Sequence, residues 1–215
     1  MAGLSVHLTH SLKVNAHLYV SLGKTLTRDL EVFTAQKLKV SDNFNKIFLY
    51  GQNGATVKGF QIPMDLIQKE QFDAVVIDLG SNDIVQNFSP QMIVADIVDL
   101  ASQLRKTGVP LVGILSVVPR TGGLRELSEQ DFNSRMEEVN ASLRKVVLQL
   151  PGLFFQRQKG FYENEQGNLK TRKCVSEWSR DGIHPNDKDG VGRAKYINSI
   201  RLAFSQAIRL ANEAS

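Results

Sequence analysis

Ala74-Val75-Val76-Ile77-Asp78-Leu79-Gly80-Ser81-Asn82-Asp83 is the stretch on which the reading of this chain turns. A short run, apolar except for Asp78, ends in a glycine and three small polar residues. Such a run fits a strand buried on both faces, as in a parallel sheet covered by helices. Leu111 to Val118 has the same character. Leu18 to Leu22, ending at Gly23, Ile47 to Tyr50, closed by Gly51, and the brief Leu153 to Phe155 read as further strands. Helical patterns separate them. Leu26 to Ala35 reads as a helix behind the first strand. Ser89-Pro90 opens another, with Ile93, Val94, Ile97, Val98, Ala101 and Leu104 at helical spacing and Gly108 as its stop. Ser128 and Asp131 resemble a capping box at the start of a helix reaching about Leu150, where Pro151-Gly152 ends it. A last helix runs from about Gly190 to Ala211. Strands alternating with helices predict an α/β fold: a three-layer α/β/α sandwich around a mostly parallel sheet of about five strands.

The 215 residues suit one domain over 1–215, with its core at about 17–212. The net charge of +4 is spread along the chain, so a solvated mixed surface is expected. Cys174 is the only cysteine, which leans toward a reducing compartment. No stretch approaches the ~20 apolar residues of a membrane span, and Met1 to His10 lacks the charge and apolar run of a signal peptide. A cytoplasmic location with no membrane partner is therefore expected.

In open α/β sheets, ligands gather at the carboxyl ends of the strands. The residues just beyond each strand are accordingly informative: Gly23-Lys24-Thr25, Gly51-Gln52-Asn53-Gly54, Gly80-Ser81-Asn82-Asp83 and Pro119-Arg120. Glycine-bearing turns let backbone N–H groups face a developing anion. The Asn82 amide can donate to an oxyanion, although Asn also favours ordinary turns. His184 is the sole histidine beyond residue 17 and lies in Asp181-Gly182-Ile183-His184. That spacing lets the carboxylate fold back, orient the imidazole and stabilise its protonated form. The plainer alternative is a helix-capping Asp beside a surface His. Arg120 either points into the cleft toward an acidic substrate or pairs with surface carboxylates. Trp178, Asn133 and Asn140 read as structural. The histidines and the cysteine have no metal-ligand spacing, and the glycines match neither a phosphate loop nor a dinucleotide fingerprint, so no metal and no cofactor are expected.

Taken together, these turns resemble the SGNH (GDSL-type) hydrolases. Gly80-Ser81-Asn82-Asp83 matches that family's third block and Asp181-Gly182-Ile183-His184 its fourth. Gly54, or else Gly51, resembles the glycine of the second. The resemblance runs from about residue 18 to 212. It implies a flavodoxin-like fold, a small-molecule ester substrate, Asp181 and His184 as the acid–base pair, and Gly54 and Asn82 as oxyanion donors. Gly51, Asp83 and Arg120 would line the substrate.

The first block departs. Lys24 and Thr25 stand where the family has Asp and Ser, so Thr25 takes the nucleophile's place. A threonine hydroxyl can be activated by a base, but its methyl group restricts χ1 and crowds the attack. Lys24 would stabilise an oxyanion while lowering the proton affinity of His184. Ser11, in Thr9-His10-Ser11-Leu12, is a weaker alternative because it precedes the strand. Three functions are compatible with these residues: an ester hydrolase, with activity weakened or lost at Thr25; a non-catalytic binding relative, of mobile-element origin; and a nucleic-acid partner using Arg157, Lys159, Lys170, Arg172 and Lys173. For the last, a solvated charged loop is the preferred reading.

Overall fold

Val75, Ile77, Val112 and Ile114 pack on one face of the central sheet, and Ala74, Val76, Leu115 and Phe154 on the other, because side chains alternate along a strand. Ala74 to Ile77 are at most 1% exposed, so both faces of this strand are covered. Each aliphatic side chain buried there contributes about 1.5–3 kcal/mol.

The computed structural model describes residues 14–20, 31–33, 44–52, 54–62, 64–158, 161, 181–184 and 191–214, with 14–20, 31–33 and 44–50 as backbone alone. In chain order the elements are β1 (Val14–Val20), β2 (Glu31–Phe33), β3 (Phe44–Tyr50), α1 (Met64–Glu70), β4 (Ala74–Asp78), α2 (Ser81–Val85), α3 (Pro90–Lys106), β5 (Leu111–Leu115), α4 (Glu129–Val147), β6 (Leu153–Gln156) and α5 (Val191–Ala214). The sheet order is β2-β3-β1-β4-β5-β6, parallel throughout except for the antiparallel edge β2.

Among the parallel strands, the first pairs with both the second and the third (β3 and β4), which is the flavodoxin-like order. The chain turns opposite ways after β1 and β4, so a crevice opens between their carboxyl ends. On one face, Ile93, Ile97, Ala101 and Leu104 of α3 and Phe132, Met136, Val139 and Leu143 of α4 cover the sheet. On the other, Tyr196, Ile200, Ala203, Phe204 and Ala207 of α5 do so, with Phe161. This is the expected α/β/α arrangement.

The helix termini obey local chemistry. Ser89 caps α3 by accepting from the Met92 N–H at 3.2 Å, with Pro90 in the first turn where no N–H is needed. Ser128 caps α4 by accepting from the Asp131 N–H at 3.0 Å and donates its hydroxyl to the Asp131 carboxylate at 2.6 Å.

Three features differ from the sequence reading, the first being helix α1, where no element was expected. Part of Leu26–Ala35, expected to be helical, forms strand β2, which makes the sheet six-stranded. Leu26, Leu30 and Phe33 have helical spacing, but β3 offers an open edge, and Glu31 to Phe33 take their backbone partners from it. Residues 81–85, expected as a turn, close into the short helix α2. No helix among the described residues is long and apolar enough to cross a membrane. Ser11, Gly23, Lys24, Thr25, Lys159, Lys170, Arg172, Lys173, Cys174 and Trp178 lie outside the described residues.

Candidate active site

A chain of hydrogen bonds joins the loops that leave β3, β4 and β5 to the turn at residues 181–184. It begins at Asp83, whose side chain is fully buried and accepts the Val57 N–H at 3.0 and 3.2 Å on its two oxygens. This contact ties the loop after β3, with Gly54 at φ +66° and Gly51 at its start, to α2. Asn82 makes a second tie, donating its amide to the Ala55 carbonyl at 2.9 Å. The Oδ1 of the same side chain accepts from Arg120 Nη2 at 2.9 Å, which brings in the loop after β5. Arg120 is only 7% exposed, so it lies beneath these loops and not at the surface.

The loop after β5 then holds the turn at 181–184. The N–H groups of Thr121 and Gly122 donate to the Gly182 carbonyl at 3.0 and 3.2 Å. The two segments approach so closely that neither tolerates a side chain: a Cβ on Gly122 would overlap the Asp181 carbonyl, and one on Gly182 would overlap Gly122 and Thr121. Gly182 also has φ +64°, a conformation that favours glycine. Within the turn, Asp181 Oδ1 accepts the N–H groups of Ile183 and His184 at 2.8 and 3.0 Å. Its Oδ2 pairs with His184 Nδ1. His184 Nε2 is buried and has no hydrogen-bond partner among the described residues. An imidazole held at Nδ1 by a carboxylate and unengaged at Nε2 is arranged to exchange a proton there.

Two carboxyls, Asp83 at the start of this array and Asp78 behind it, are desolvated. Burial raises Asp83 from 3.8 to about 6, although the Val57 N–H opposes the shift. Burial likewise raises Asp78, at the end of β4, to about 6, against hydrogen bonds from Tyr196 and Gln158 and the positive charge of Arg120. The Tyr196 hydroxyl donates to Asp78 Oδ2 at 2.9 Å, and burial pushes that phenol well above its ordinary value. Arg120 is lowered to about 10, first by burial, with the charges of Asp78 and Asp181 acting in the opposite direction. Among the described residues, no three of His, Cys, Asp and Glu gather as a metal ion would require.

The raised Asp83 has a thermodynamic consequence. Between pH 3.8 and about 6 the folded protein binds more protons than the unfolded chain, so stability falls as pH rises through that window. Asp83→Asn keeps an oxygen for Val57 and removes the buried charge. Relative to the parent, its unfolding free energy should gain about 2 kcal/mol between pH 4 and pH 7.5. Urea unfolding at the two pH values checks this, and a difference independent of pH contradicts it.

The sequence from 15 to 188 matches the model of the GDSL-like lipase/acylhydrolase family. The chain belongs to that family. Solved structures with the same fold include a GDSL-like lipase from Bacteroides thetaiotaomicron, 18% identical, covering 96% of this chain and 93% of its own, with a TM-score of 0.60. An acetyl-xylooligosaccharide esterase from Geobacillus is 14% identical, covers 92% and 96%, and has a TM-score of 0.61. A carbohydrate esterase from Talaromyces cellulolyticus is 15% identical, covers 78% and 73%, and has a TM-score of 0.54. No curated protein matches the sequence. In this GDSL-like protein, seven residues singled out from sequence (Gly51, Gly54, Asn82, Asp83, Arg120, Asp181 and His184) belong to the segments joined by the hydrogen-bonded chain above. The sequence reading missed Asp78, Tyr196 and Gln158, though an acid inside an apolar strand was a visible signal. It also gave no role to Gly122 and Gly182, whose part depends on two distant segments meeting.

Proposed function

We propose that the protein hydrolyses a small acyl or acetyl ester, with His184 as the proton-transferring base and Asp181 as its orienting partner. One observation carries this reading: His184 is held at Nδ1 by Asp181 and is buried and unengaged at Nε2. Membership of the GDSL-like family supports it, as does the second N–H of Asn82 beside the glycine loop, which meets no partner among the described residues.

In this mechanism Thr25 Oγ attacks the ester carbonyl as His184 Nε2 takes its proton. The carbonyl oxygen becomes an oxyanion, held by the Asn82 amide and the N–H groups of Gly54 and Thr25. Collapse expels the alkoxide, which takes the proton from His184 and leaves an acyl group on Thr25. Water, deprotonated by the same imidazole, then attacks the acyl carbon; the acid departs and Thr25 regains its proton. Asp181 stabilises the imidazolium in both halves without being protonated.

Lys24-Thr25 favours a second reading, a non-catalytic relative that keeps the pocket. The Lys24→Asp, Thr25→Ser double variant separates the two. If the parent is a slow hydrolase, p-nitrophenyl acetate turnover should rise by about 10- to 100-fold and remain dependent on His184. Turnover in the double variant, where the parent has none, establishes the binding relative. No turnover in either removes the hydrolase reading.

A further inference from the structure

We propose that Arg120 is a positioning residue: buried beneath the site, it fixes which way the Asn82 amide faces and so keeps that amide's free N–H turned toward the reacting carbonyl. The inference rests on the ester-hydrolase reading for its consequence in catalysis, but not for its geometry.

An Asn side chain has two nearly isosteric ends, and rotation by half a turn exchanges donor for acceptor. Two partners settle the choice here. The guanidinium of Arg120 can only donate, so it must meet Oδ1; the Ala55 carbonyl can only accept, so it must meet Nδ2. The amide has two N–H groups, and Ala55 uses one. With Arg120 in place, these two bonds fix the line along which the second N–H points. Remove Arg120, and Oδ1 loses a charge-assisted partner in a buried setting, so the amide is free to turn.

Burial argues against the other role for this arginine. A side chain 7% exposed, with Nη2 engaged by Asn82, is poorly placed to reach out for an acidic substrate. Its charge is instead met by Asp78 at the end of β4 and by Asp181 of the neighbouring turn. Asp78 is held by Tyr196 of α5, so the opposite layer of the sandwich helps to support the array. Arg120 thus touches the oxyanion donor on one side and feels the His184 partner on the other, without meeting substrate.

Kinetics and NMR test this on the whole chain. Arg120→Gln should lower kcat by about 10- to 100-fold on p-nitrophenyl acetate, with KM within about twofold, because only the transition state uses the misdirected N–H. A succinate half-ester should lose kcat by the same factor. On an Asn82→Ala background, Arg120→Gln should cost less than about twofold more. A rise in KM confined to the acidic ester, or a full additional loss on that background, overturns the proposal. If Arg120→Gln does not fold, Arg120→Lys retains one donor and the charge and should give a smaller kcat loss of the same kind. The side-chain amide signals of Asn82, assigned by their absence in Asn82→Asp, supply a readout without turnover. They should shift and broaden in either Arg120 variant, and unchanged signals overturn the inference. A parent that turns over no ester while these signals move leaves Arg120 positioning Asn82 and removes only the hydrolase reading.

Discussion

His184→Ala is expected to reduce kcat/KM for p-nitrophenyl acetate by about 10³-fold or more, with the protein still folded. No other group among the described residues combines a ring nitrogen held by a carboxylate with one left unengaged in a buried position. In the proposed mechanism, loss of the imidazole would leave the nucleophilic hydroxyl without a base and the leaving alkoxide without an acid. The oxyanion donors proposed on Gly54 and Asn82 would remain, so some acceleration over water should persist. Asp181→Asn should cost about 10²- to 10⁴-fold, because the imidazolium loses its counter-charge and the amide can present a donor where Nδ1 needs an acceptor. Circular dichroism confirms folding. Unaltered rates in His184→Ala would end the mechanism, whatever residue supplies the nucleophile.

Gly122→Ala should be nearly as damaging for a different reason. The new methyl group would overlap the Asp181 carbonyl and stand 3.0 Å from its carbon and 3.3 Å from Gly182 Cα. All three are backbone atoms, so no side-chain rotation relieves the clash. The two loops must part, which stretches the bonds from Thr121 and Gly122 to Gly182 and carries Asp181 and His184 with them. Displacement of catalytic groups by about 1 Å costs roughly 10²-fold in rate, and overpacking costs about 1–3 kcal/mol in stability. Gly108→Ala is the control. Gly108 has φ +98° with open space around it, and it precedes β5, at the end of that strand opposite the site. That variant should lose about 1 kcal/mol while keeping its rate. Equal retention of activity in both variants would show that the close approach of the two loops does not set the position of His184.

Local patterns were legible wherever the deciding interaction lay within a few residues. The apolar run at 74–79, the Ser89-Pro90 and Ser128 caps and the Asp181-to-His184 spacing all act over one strand or one helical turn. The sequence therefore announced them, and the turns after the strands marked the family. The strand β2 was not legible, because three residues of edge pairing with β3 outweighed a local helical spacing. The same limit hid the setting of Arg120, for which the sequence offered the cleft and the surface equally and not the buried bond to Asn82. It also hid Gly122 and Gly182, since a glycine needed for close approach resembles any other glycine until the second backbone arrives. The sequence by itself determined the alternation of strands and helices, the order of the polar turns and the Asp–His pair. Tertiary structure alone decided which buried groups face one another, because those contacts join residues 26 to 118 positions apart and depend on how the sheet orders its strands.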